Sequence, residues 1–171
     1  MEMDRQNMIL IGFMGAGKTS VGEELAGRFG KTLIDTDRMI EERAGMSISD
    51  IFAVQGEETF RRLETEVLEQ LISEASGETI SVGGGLPLRE ENRKLLKKLG
   101  TVIYLRVRPE TVLARLKGDT TRPLLQGDDV EEKVNSLLSK RGPIYEMAAD
   151  RIISVDGRSV EQIADAIMAE R

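Results

Sequence analysis

The sequence predicts an α/β fold in which one parallel sheet lies between layers of helices. Short apolar runs have the length and composition of buried strands at 8–12, 32–35, 79–82, 101–107 and 151–155. Segments whose apolar residues recur with a helical period separate these runs, as in 57–75. Because strands alternate with helices along the whole chain, parallel pairing through helical crossovers is the expected arrangement.

The remaining segments divide into helices and one long loop. Helices are predicted at 18–29, 38–44, 48–54, 57–75, 90–99, 111–116, 130–148 and 160–169. Gly142 and Pro143 predict a break or a new start within 130–148, because proline removes a helical N–H. The polar stretch 118–129 has no apolar period and is predicted to be a loop long enough to serve as a lid.

Composition excludes several classes of protein. The chain of 171 residues suits one domain, and it contains neither cysteine nor histidine, so a disulfide framework, a thiolate nucleophile and an imidazole-bound zinc site are all excluded. The net charge of -6 argues against a nucleic-acid partner. No apolar run approaches the roughly 20 residues of a membrane span, and no signal peptide precedes the first strand, which predicts a soluble cytoplasmic protein.

The first strand leads into a phosphate-binding motif. Residues 12–19 read Gly-Phe-Met-Gly-Ala-Gly-Lys-Thr, which fits G-x-x-x-x-G-K-[ST] between a strand and a helix. Glycines allow successive N–H groups to point at phosphate oxygens, the lysine reaches the β- and γ-phosphates, and the threonine hydroxyl can bind Mg²⁺. A glycine-rich turn that binds nothing is the alternative, and Lys-Thr in register disfavours it. The candidate ATP-binding residues here are Gly15, Ala16, Gly17, Lys18, Thr19 and Ser20.

Two acids follow the second strand. Asp35 and Asp37 lie at the carboxyl edge of the predicted sheet, where open α/β sheets bind their ligands. One acid can hold Mg²⁺ through water, and the other can accept a hydrogen bond from a substrate hydroxyl. Capping of the helix that begins near Arg38 by Asp35 or Thr36 is the competing interpretation, and the residues alone leave both open.

Further along the chain, arginine and glycine residues have spacings that suit a small anionic ligand. Arg61 and Glu64 are three residues apart on a predicted helix, so Glu64 can hold Arg61 in place, although a surface ion pair has the same spacing. The run Gly83-Gly84-Gly85 after the third strand permits close approach of the backbone to a ligand, or forms an ordinary turn.

Taken together, these motifs resemble those of the shikimate kinases, from about residue 9 to the final helix. The resemblance rests on the phosphate-binding loop, Asp35-Thr-Asp37, Phe60-Arg-Arg-Leu-Glu64, Gly83-Gly-Gly85, Arg122-Pro-Leu-Leu125 and Arg141-Gly-Pro-Ile-Tyr145, in that order. It implies a three-layer P-loop kinase fold, like that of nucleoside monophosphate kinases, with a five-stranded parallel sheet in the order 2-3-1-4-5. It also implies a mobile lid at about 117–130 and a substrate-binding helical region at about 37–65.

The resemblance also implies a reaction and its reactants. The γ-phosphoryl group of ATP would be transferred to the 3-hydroxyl of shikimate with Mg²⁺ as cofactor, in the pathway to chorismate and the aromatic amino acids. A monomer without nucleic-acid or membrane partners is implied as well. Since there is no cysteine or histidine nucleophile, direct in-line transfer without a covalent intermediate is expected.

The resemblance also implies a role for each residue that occupies a matching position in the family's motifs. Asp37 would bind the shikimate hydroxyl and act as a base, and Asp35 and Thr19 would hold the metal. Arg61 and Arg141 would bind the shikimate carboxylate. The remaining matches are the ring-binding Gly83, Gly84 and Gly85, the lid arginine Arg122 near the phosphates, and Arg115 and Arg158 near the adenine.

The sequence leaves three other interpretations open. A related kinase could act on another acid or sugar such as gluconate, or on a nucleoside monophosphate, although acids at 35 and 37 would repel a phosphate. A regulatory nucleotide-binding protein would be expected to have lost Lys18, Thr19 or Asp37, and all three are intact. The chain could also be one piece of a larger multifunctional enzyme.

Overall fold

The fold is built on a five-stranded parallel sheet. The structure, a computed structural model, describes residues 6–117 and 129–169. The strands are β1 (Asn7–Ile11), β2 (Ile34–Asp35), β3 (Thr79–Ser81), β4 (Gly100–Arg106) and β5 (Arg151–Ser154). They pair in the order β2-β3-β1-β4-β5, and every pairing is parallel, which confirms the expected sheet and its order.

Strand β1 lies at the centre of the sheet, and all of its residues are buried. Leu10 pairs with Ser81 of β3 on one side and with Ile103 of β4 on the other. Because neighbouring strands run parallel, the carboxyl ends of β1, β2 and β3 meet at one edge of the sheet. The predicted strand 32–35 is shorter in the structure, since only Ile34 and Asp35 pair with β3.

Helices flank the sheet on both sides. They are α1 (Lys18–Arg28), α2 (Thr36–Ala44), α3 (Ile48–Gln55), α4 (Glu57–Glu74), α5 (Glu90–Leu99), α6 (Pro109–Leu116), α7 (Val130–Ala148) and α8 (Val160–Ala169), with a short 3₁₀ turn at Leu86–Leu88. Helix α1 packs against α8, and α4 packs against α5. Over the described residues, no helix has both the length and the apolar character needed to cross a bilayer.

Helix α7 corrects the prediction of a break at Gly142 and Pro143, because it runs without interruption through both residues. Proline clashes with the Cβ of the residue before it when that residue is helical, and Gly142 has no Cβ. The N–H that Pro143 lacks would have bonded the carbonyl of Ser139, and both residues are exposed, so water can bind that carbonyl. Buried side chains on both sides of the proline hold the helix against the core, among them Val134 and Tyr145.

A buried polar network fixes α4 against α5 and the 3₁₀ turn. Asn92 is fully buried, accepts a hydrogen bond from the Thr65 hydroxyl at 2.7 Å and donates to the Leu86 carbonyl at 3.0 Å. Because a buried amide left without partners would destabilise the fold, these bonds specify one arrangement of the two helices. The segment that follows Gly85 is therefore held in place relative to the helix that carries Arg61.

Two glycines with open surroundings separate the effect of backbone geometry from that of packing. Gly27 lies exposed in α1, Gly30 follows the helix at φ 67°, and a Cβ at either position would meet nothing within 4 Å. We expect Gly27→Ala to raise the free energy of unfolding by about 1 kcal/mol, because alanine favours the helix. Gly30→Ala should lower it by about 1 kcal/mol, because a left-handed alanine is strained. Urea denaturation of both variants checks this, and equal shifts would contradict it.

Candidate active site

A single cleft brings the sequence-predicted residues together at the carboxyl edge of the sheet. It encloses about 770 Å³. The predicted site residues that line it are Gly15, Ala16, Gly17, Lys18, Thr19, Ser20, Asp35, Asp37, Arg61, Gly83, Gly84, Gly85, Arg115, Arg141 and Arg158. Arg122 and most of the predicted lid lie outside the described residues. A cleft of this size suits a nucleotide and a small second ligand.

The loop between β1 and α1 wraps around the end of the cleft where α1 begins. Gly17 caps α1 at φ 89° and has no side chain that could accept from the first N–H groups of the helix. The Lys18 ammonium donates to the carbonyls of Gly12 at 2.7 Å and Phe13 at 3.2 Å, which draws the loop around the lysine. Gly12 must be glycine because a Cβ there would lie 2.8 Å from the Leu105 carbonyl oxygen. Uncapped N–H groups and an ammonium together form an anion site.

Two arginines border this loop. Arg115, in the last turn of α6, donates to the Gly15 carbonyl at 2.7 Å. Its guanidinium also lies 3.4 Å from the position that a Cβ on Gly17 would take. Arg158, just after β5, lines the same cleft together with Val160 and Ile163 at the start of α8. An apolar surface flanked by arginine is a suitable environment for a heteroaromatic base.

Asp35 caps a helix and also faces the cleft. Its Oδ1 accepts from the N–H of Asp37 at 2.9 Å and of Arg38 at 3.4 Å, so the capping interpretation is correct. This cap explains why α2 begins at Thr36, before the predicted start. Capping uses only one of the two carboxylate oxygens, and Asp35 lines the cleft together with Thr19. Cap and ligand roles are therefore compatible.

Asp37 is a half-buried residue that lines the cleft. Burial, with a further contribution from the charge of Asp35, raises the pKa of Asp37 to about 6, and Lys18 opposes this shift. Its Oδ1 is buried and finds no hydrogen-bond donor among the described residues. A buried carboxylate oxygen without a donor is costly, so it should either accept a hydrogen bond from a ligand hydroxyl or become protonated.

Arg61 and Glu64 form a buried pair, so the interpretation as a surface ion pair is wrong. Arg61 Nη1 lies 2.7 Å from Glu64 Oε1, and their side chains are 15% and 1% exposed. Glu57 lies 3.5 Å from the other side of the guanidinium. Burial raises the pKa of Glu64 to about 7, while Arg61 lowers it. Glu64 therefore holds one edge of the guanidinium, the more exposed Glu57 lies beside the other terminal nitrogen, and Arg61 lines the cleft between them.

The glycine turn after β3 lies against the charged groups of the cleft. A Cβ on Gly83 would lie 2.8 Å from Asp37 Oδ1 and 3.4 Å from Glu64 Oε2. A Cβ on Gly85 would lie 2.5 Å from both terminal nitrogens of Arg61. The Gly83 N–H donates to the hydroxyl of buried Thr36 at 3.4 Å, which joins the turn to the end of β2. A side chain at Gly83 or Gly85 would therefore collide with the charged groups of the cleft, which gives these two glycines a role beyond that of an ordinary turn.

Arg141 enters the cleft from α7. Its guanidinium carbon lies 6.0 Å from the centre of the Phe13 ring, within the range of a cation–π contact. One of its terminal nitrogens lies 3.4 Å from the position of a Cβ on Gly84. Tyr145, one helical turn later, donates its hydroxyl hydrogen to the Gly84 carbonyl at 2.6 Å. Arg141 and Arg61 thus approach the glycine turn from two different helices.

Sequence reasoning missed some of the residues that form the site. Tyr145 was visible only as a member of a motif, with no role assigned to it, and Thr36 was considered only as a helix cap. Apolar lining comes from Ile48 in α3 and Phe60 in α4, which a helical period alone identifies only as buried. For Tyr145, the signal was its spacing four residues after Arg141, which places both side chains on one face of a helix.

Gly85 offers a direct test of how close the glycine turn is to Arg61. Its φ of -91° suits any residue, so Gly85→Ala should change the fold little. The new methyl group would displace the Arg61 guanidinium from its place beside Glu64. We expect the KM for the acceptor to rise about tenfold, consistent with one charged hydrogen bond lost, while the KM for the nucleotide stays the same. Steady-state kinetics with each substrate varied in turn measure both, and an unchanged acceptor KM would contradict the assignment.

A P-loop kinase that acts on a small molecule is the class that this fold and cleft define, since a nucleotide site and a second, smaller polar site share one edge of the sheet. Comparison with known proteins identifies the family. The family model described as shikimate kinase matches residues 14–170. The shikimate kinase of Thermodesulfovibrio yellowstonii is 45% identical over 165 residues, which cover 96% of this chain and 94% of that protein. The chain belongs to the shikimate kinase family.

Solved structures agree with this assignment. The shikimate kinase from Acinetobacter baumannii in complex with shikimate has a TM-score of 0.89 and 38% identity, over 97% of this chain and 92% of that one. The shikimate kinase from Bacteroides thetaiotaomicron has a TM-score of 0.83 and 32% identity, over 96% of each chain. The fold described above is therefore the fold of the family.

Proposed function

We propose that this protein transfers the γ-phosphoryl group of ATP to the 3-hydroxyl of shikimate, giving shikimate 3-phosphate and ADP on the route to chorismate and the aromatic amino acids. The observation that carries the proposal is the polar end of the cleft, where Arg61, Arg141 and Asp37 converge on the glycine turn. Shikimate has one planar carboxylate and several ring hydroxyls, which this set of groups can bind. Membership of the family supports the same substrate.

Arg61 and Arg141 are the proposed ligands of the shikimate carboxylate. Arginine forks match a carboxylate in bidentate geometry, and both guanidinium groups lie beside the glycine turn. Gly83 lies beside Asp37, Gly84 beside Arg141 and Gly85 beside Arg61. The ring would therefore rest on the backbone of this turn and present a hydroxyl to Asp37 Oδ1, which has no donor in the described part of the chain. This arrangement selects for a ligand with a carboxylate at one end and a hydroxyl at the other.

The proposed ATP site is the loop that contains Gly15, Ala16, Gly17, Lys18, Thr19 and Ser20, with Arg115 and Arg158 beside the base. Thr19 and Asp35 supply the hydroxyl and carboxylate oxygens that Mg²⁺ prefers, and Mg²⁺ takes its other ligands from phosphate and water. Among the described residues, no group of three or more acids is arranged to hold a metal ion by itself. When bound, the metal would neutralise charge on the phosphates.

The proposed mechanism is direct in-line transfer. Asp37 accepts the proton of the shikimate 3-hydroxyl while that oxygen forms its bond to the γ-phosphorus and the bond to the β-phosphate oxygen breaks. Lys18 moves from the loop carbonyls to the phosphate oxygens and stabilises the charge that develops there. Arg122 is proposed as a second cation that would approach from a lid at about 117–130, on the basis of its motif alone. Closure of such a lid would exclude water that could hydrolyse ATP.

The proposal also includes a monomeric, cytoplasmic enzyme without nucleic-acid or membrane partners. The net charge of -6 supports the absence of a nucleic-acid partner. Light scattering coupled to size-exclusion chromatography tests the oligomeric state, and a mass of twice 19.0 kDa would contradict the monomer.

A coupled ADP-release assay with Mg-ATP tests the activity. Shikimate, quinate, gluconate and nucleoside monophosphates are compared as acceptors, and Lys18→Ala serves as the blank for contaminating kinases. Stimulation by shikimate alone is the expected result. Stimulation by gluconate or a nucleoside monophosphate would keep the kinase and change its substrate. If no acceptor stimulates release from a protein that binds ATP, the regulatory nucleotide-binding alternative is correct.

A further inference from the structure

We infer that Tyr145 is a positioning residue that joins Arg141 and the glycine turn into one hydrogen-bonded unit and thereby sets the affinity for the acceptor. The inference rests on the proposed function, because it treats Arg141 as a ligand of the acceptor carboxylate. It concerns a residue that does not line the cleft and that acts only through its neighbours.

The Tyr145 hydroxyl is used both as a donor and as an acceptor. It donates to the Gly84 carbonyl at 2.6 Å. The Arg141 guanidinium approaches the same glycine, since its nearest terminal nitrogen and the phenol oxygen lie 3.4 Å and 3.6 Å from the position of a Cβ on Gly84. Burial raises the pKa of the phenol, and a side-chain hydrogen bond from Arg141 accordingly lowers it against that larger effect. A phenol has one hydrogen to donate and lone pairs to accept, so both bonds can exist together. A chain of bonds therefore runs from the Arg141 guanidinium through the phenol oxygen to the glycine-turn backbone.

The rest of Tyr145 is held rigidly. The side chain is 0% exposed, in the part of α7 that packs on the core. Its ring lies 5.2 Å from that of Tyr104 in β4, centre to centre, at an angle of 45°. Contacts of this kind stabilise one ring orientation. Because the ring cannot turn freely, the hydroxyl is fixed between Arg141 and Gly84, and so are the two groups that it joins.

A phenol suits this position better than a carboxylate. Burial raises the pKa of Tyr145, so the hydroxyl stays neutral and keeps its hydrogen for the Gly84 carbonyl. Arg61 is held differently, by the carboxylate of Glu64 at 2.7 Å. A neutral group can orient Arg141 without cancelling its charge, which leaves that charge available to an anionic ligand. Arg61 is therefore held by a carboxylate that offsets its charge, whereas Arg141 is held by a neutral phenol and keeps its full charge for a ligand.

Kinetics of Tyr145→Phe test the inference. This substitution keeps the buried ring and removes only the hydroxyl. We expect the KM for shikimate to rise about tenfold, as for one lost charge-assisted hydrogen bond, while kcat changes less and the KM for ATP is unchanged. Tyr104→Phe is the matched control, because it removes a hydroxyl from the other ring of the pair, and that hydroxyl is not among the groups nearest to Gly84. Equal effects of both variants on both KM values would overturn the inference.

Tyrosine absorbance provides a second readout that does not depend on turnover. The chain contains two tyrosines and no tryptophan, so Tyr104→Phe leaves Tyr145 as the only such chromophore. Binding of shikimate to Arg141 should change the hydrogen bond to the phenol and give an ultraviolet difference spectrum in wild type and in Tyr104→Phe. This measurement holds even if Tyr145→Phe fails to fold, and the absence of a difference spectrum in Tyr104→Phe at saturating shikimate would overturn the inference.

The two failures are distinguishable. If wild type does not phosphorylate shikimate in the coupled assay, the proposed function fails and the inference fails with it. If wild type is active while Tyr145→Phe has a normal shikimate KM, the inference alone fails.

Discussion

Replacement of Asp37 by asparagine should lower kcat by about 10²- to 10⁴-fold, the usual contribution of a general base. Asparagine has the shape of aspartate and can still accept a hydrogen bond from a hydroxyl, but it cannot take the proton. Because the Oδ1 of Asp37 is buried and has no donor among the described residues, this carboxylate is the group best placed to do so. Single-turnover and steady-state assays with shikimate measure the effect, and turnover near the wild-type value would remove Asp37 from the mechanism.

The pH profile distinguishes a base from a group that only binds. Burial and the neighbouring Asp35 raise the pKa of Asp37 to about 6, so a large fraction of the enzyme is protonated below that pH. Wild-type kcat/KM for shikimate, which reports ionisations of the free enzyme, should therefore increase as the pH rises through about 6, the range in which Asp37 ionises. Asp37→Asn should lack this acidic limb in its residual activity. A flat wild-type profile across this range would contradict the role of a base.

The same carboxylate should reduce the stability of the fold. Its pKa is about 6 in the folded protein and 3.8 in the unfolded chain, so between these values the folded state binds more protons. Stability then falls as the pH rises through this window and stays lower above it. Asp37→Asn should therefore be more stable than wild type by on the order of 1 to 3 kcal/mol at about pH 8, and about equal in stability below the unfolded pKa. Denaturant unfolding at both pH values checks this.

Asp37→Asn thus gives a prediction with opposite signs for activity and stability. An inactive variant that is also less stable at high pH would point to a damaged fold instead of a missing base. Glu64 acts in the same direction, because burial raises its pKa to about 7. The cleft therefore contains two acids, half-buried Asp37 and buried Glu64, whose raised pKa values oppose folding, as expected of a functional site.

The parts of the fold and site that are local in sequence could be predicted well. Short apolar runs predicted the strands, and the helical recurrence of apolar residues predicted the helices between them. The phosphate-binding loop was also recognisable, because the strand end, the glycines and Lys-Thr all lie within residues 12–19. Four of the strands agree with their predicted bounds to within one residue. The order of the strands came from the resemblance to the family and not from the periods, because pairing between distant segments leaves no local signal.

Features that depend on tertiary surroundings could not be predicted. Sequence alone could not decide whether Asp35 caps a helix or lines the cleft, because one carboxylate can do both, as it does here. The Arg61–Glu64 spacing is the same for a surface pair and a buried one, and only packing shows that Glu64 is 1% exposed. The path of α7 through Pro143 depends on an exposed outer face, which periodicity does not reveal.

Arg61→Lys should raise the KM for shikimate by about 30-fold or more, because lysine keeps the charge but loses the planar fork that binds a carboxylate through two bonds. The KM for ATP should not change, since Arg61 lies among the residues around the glycine turn and not at the phosphate-binding loop. Lysine is also a poorer partner for buried Glu64, whose pKa should then rise further because the fork lowers it.

Arg62→Lys is the matched control, since the chain offers two adjacent arginines in the same helix. The side chain of Arg62 is 68% exposed and only 4.0 Å from Glu66, an ordinary surface pair, so this change should leave both KM values at the wild-type level. Equal effects of the two variants would mean that general positive charge near the cleft attracts the acceptor. No effect of either would remove Arg61 from the carboxylate site and leave Arg141 as its main ligand. A large effect of Arg61→Lys alone would assign carboxylate recognition to the Arg61 fork, which differs from Arg62 in its low exposure, its contact with Glu64 and its position at the cleft.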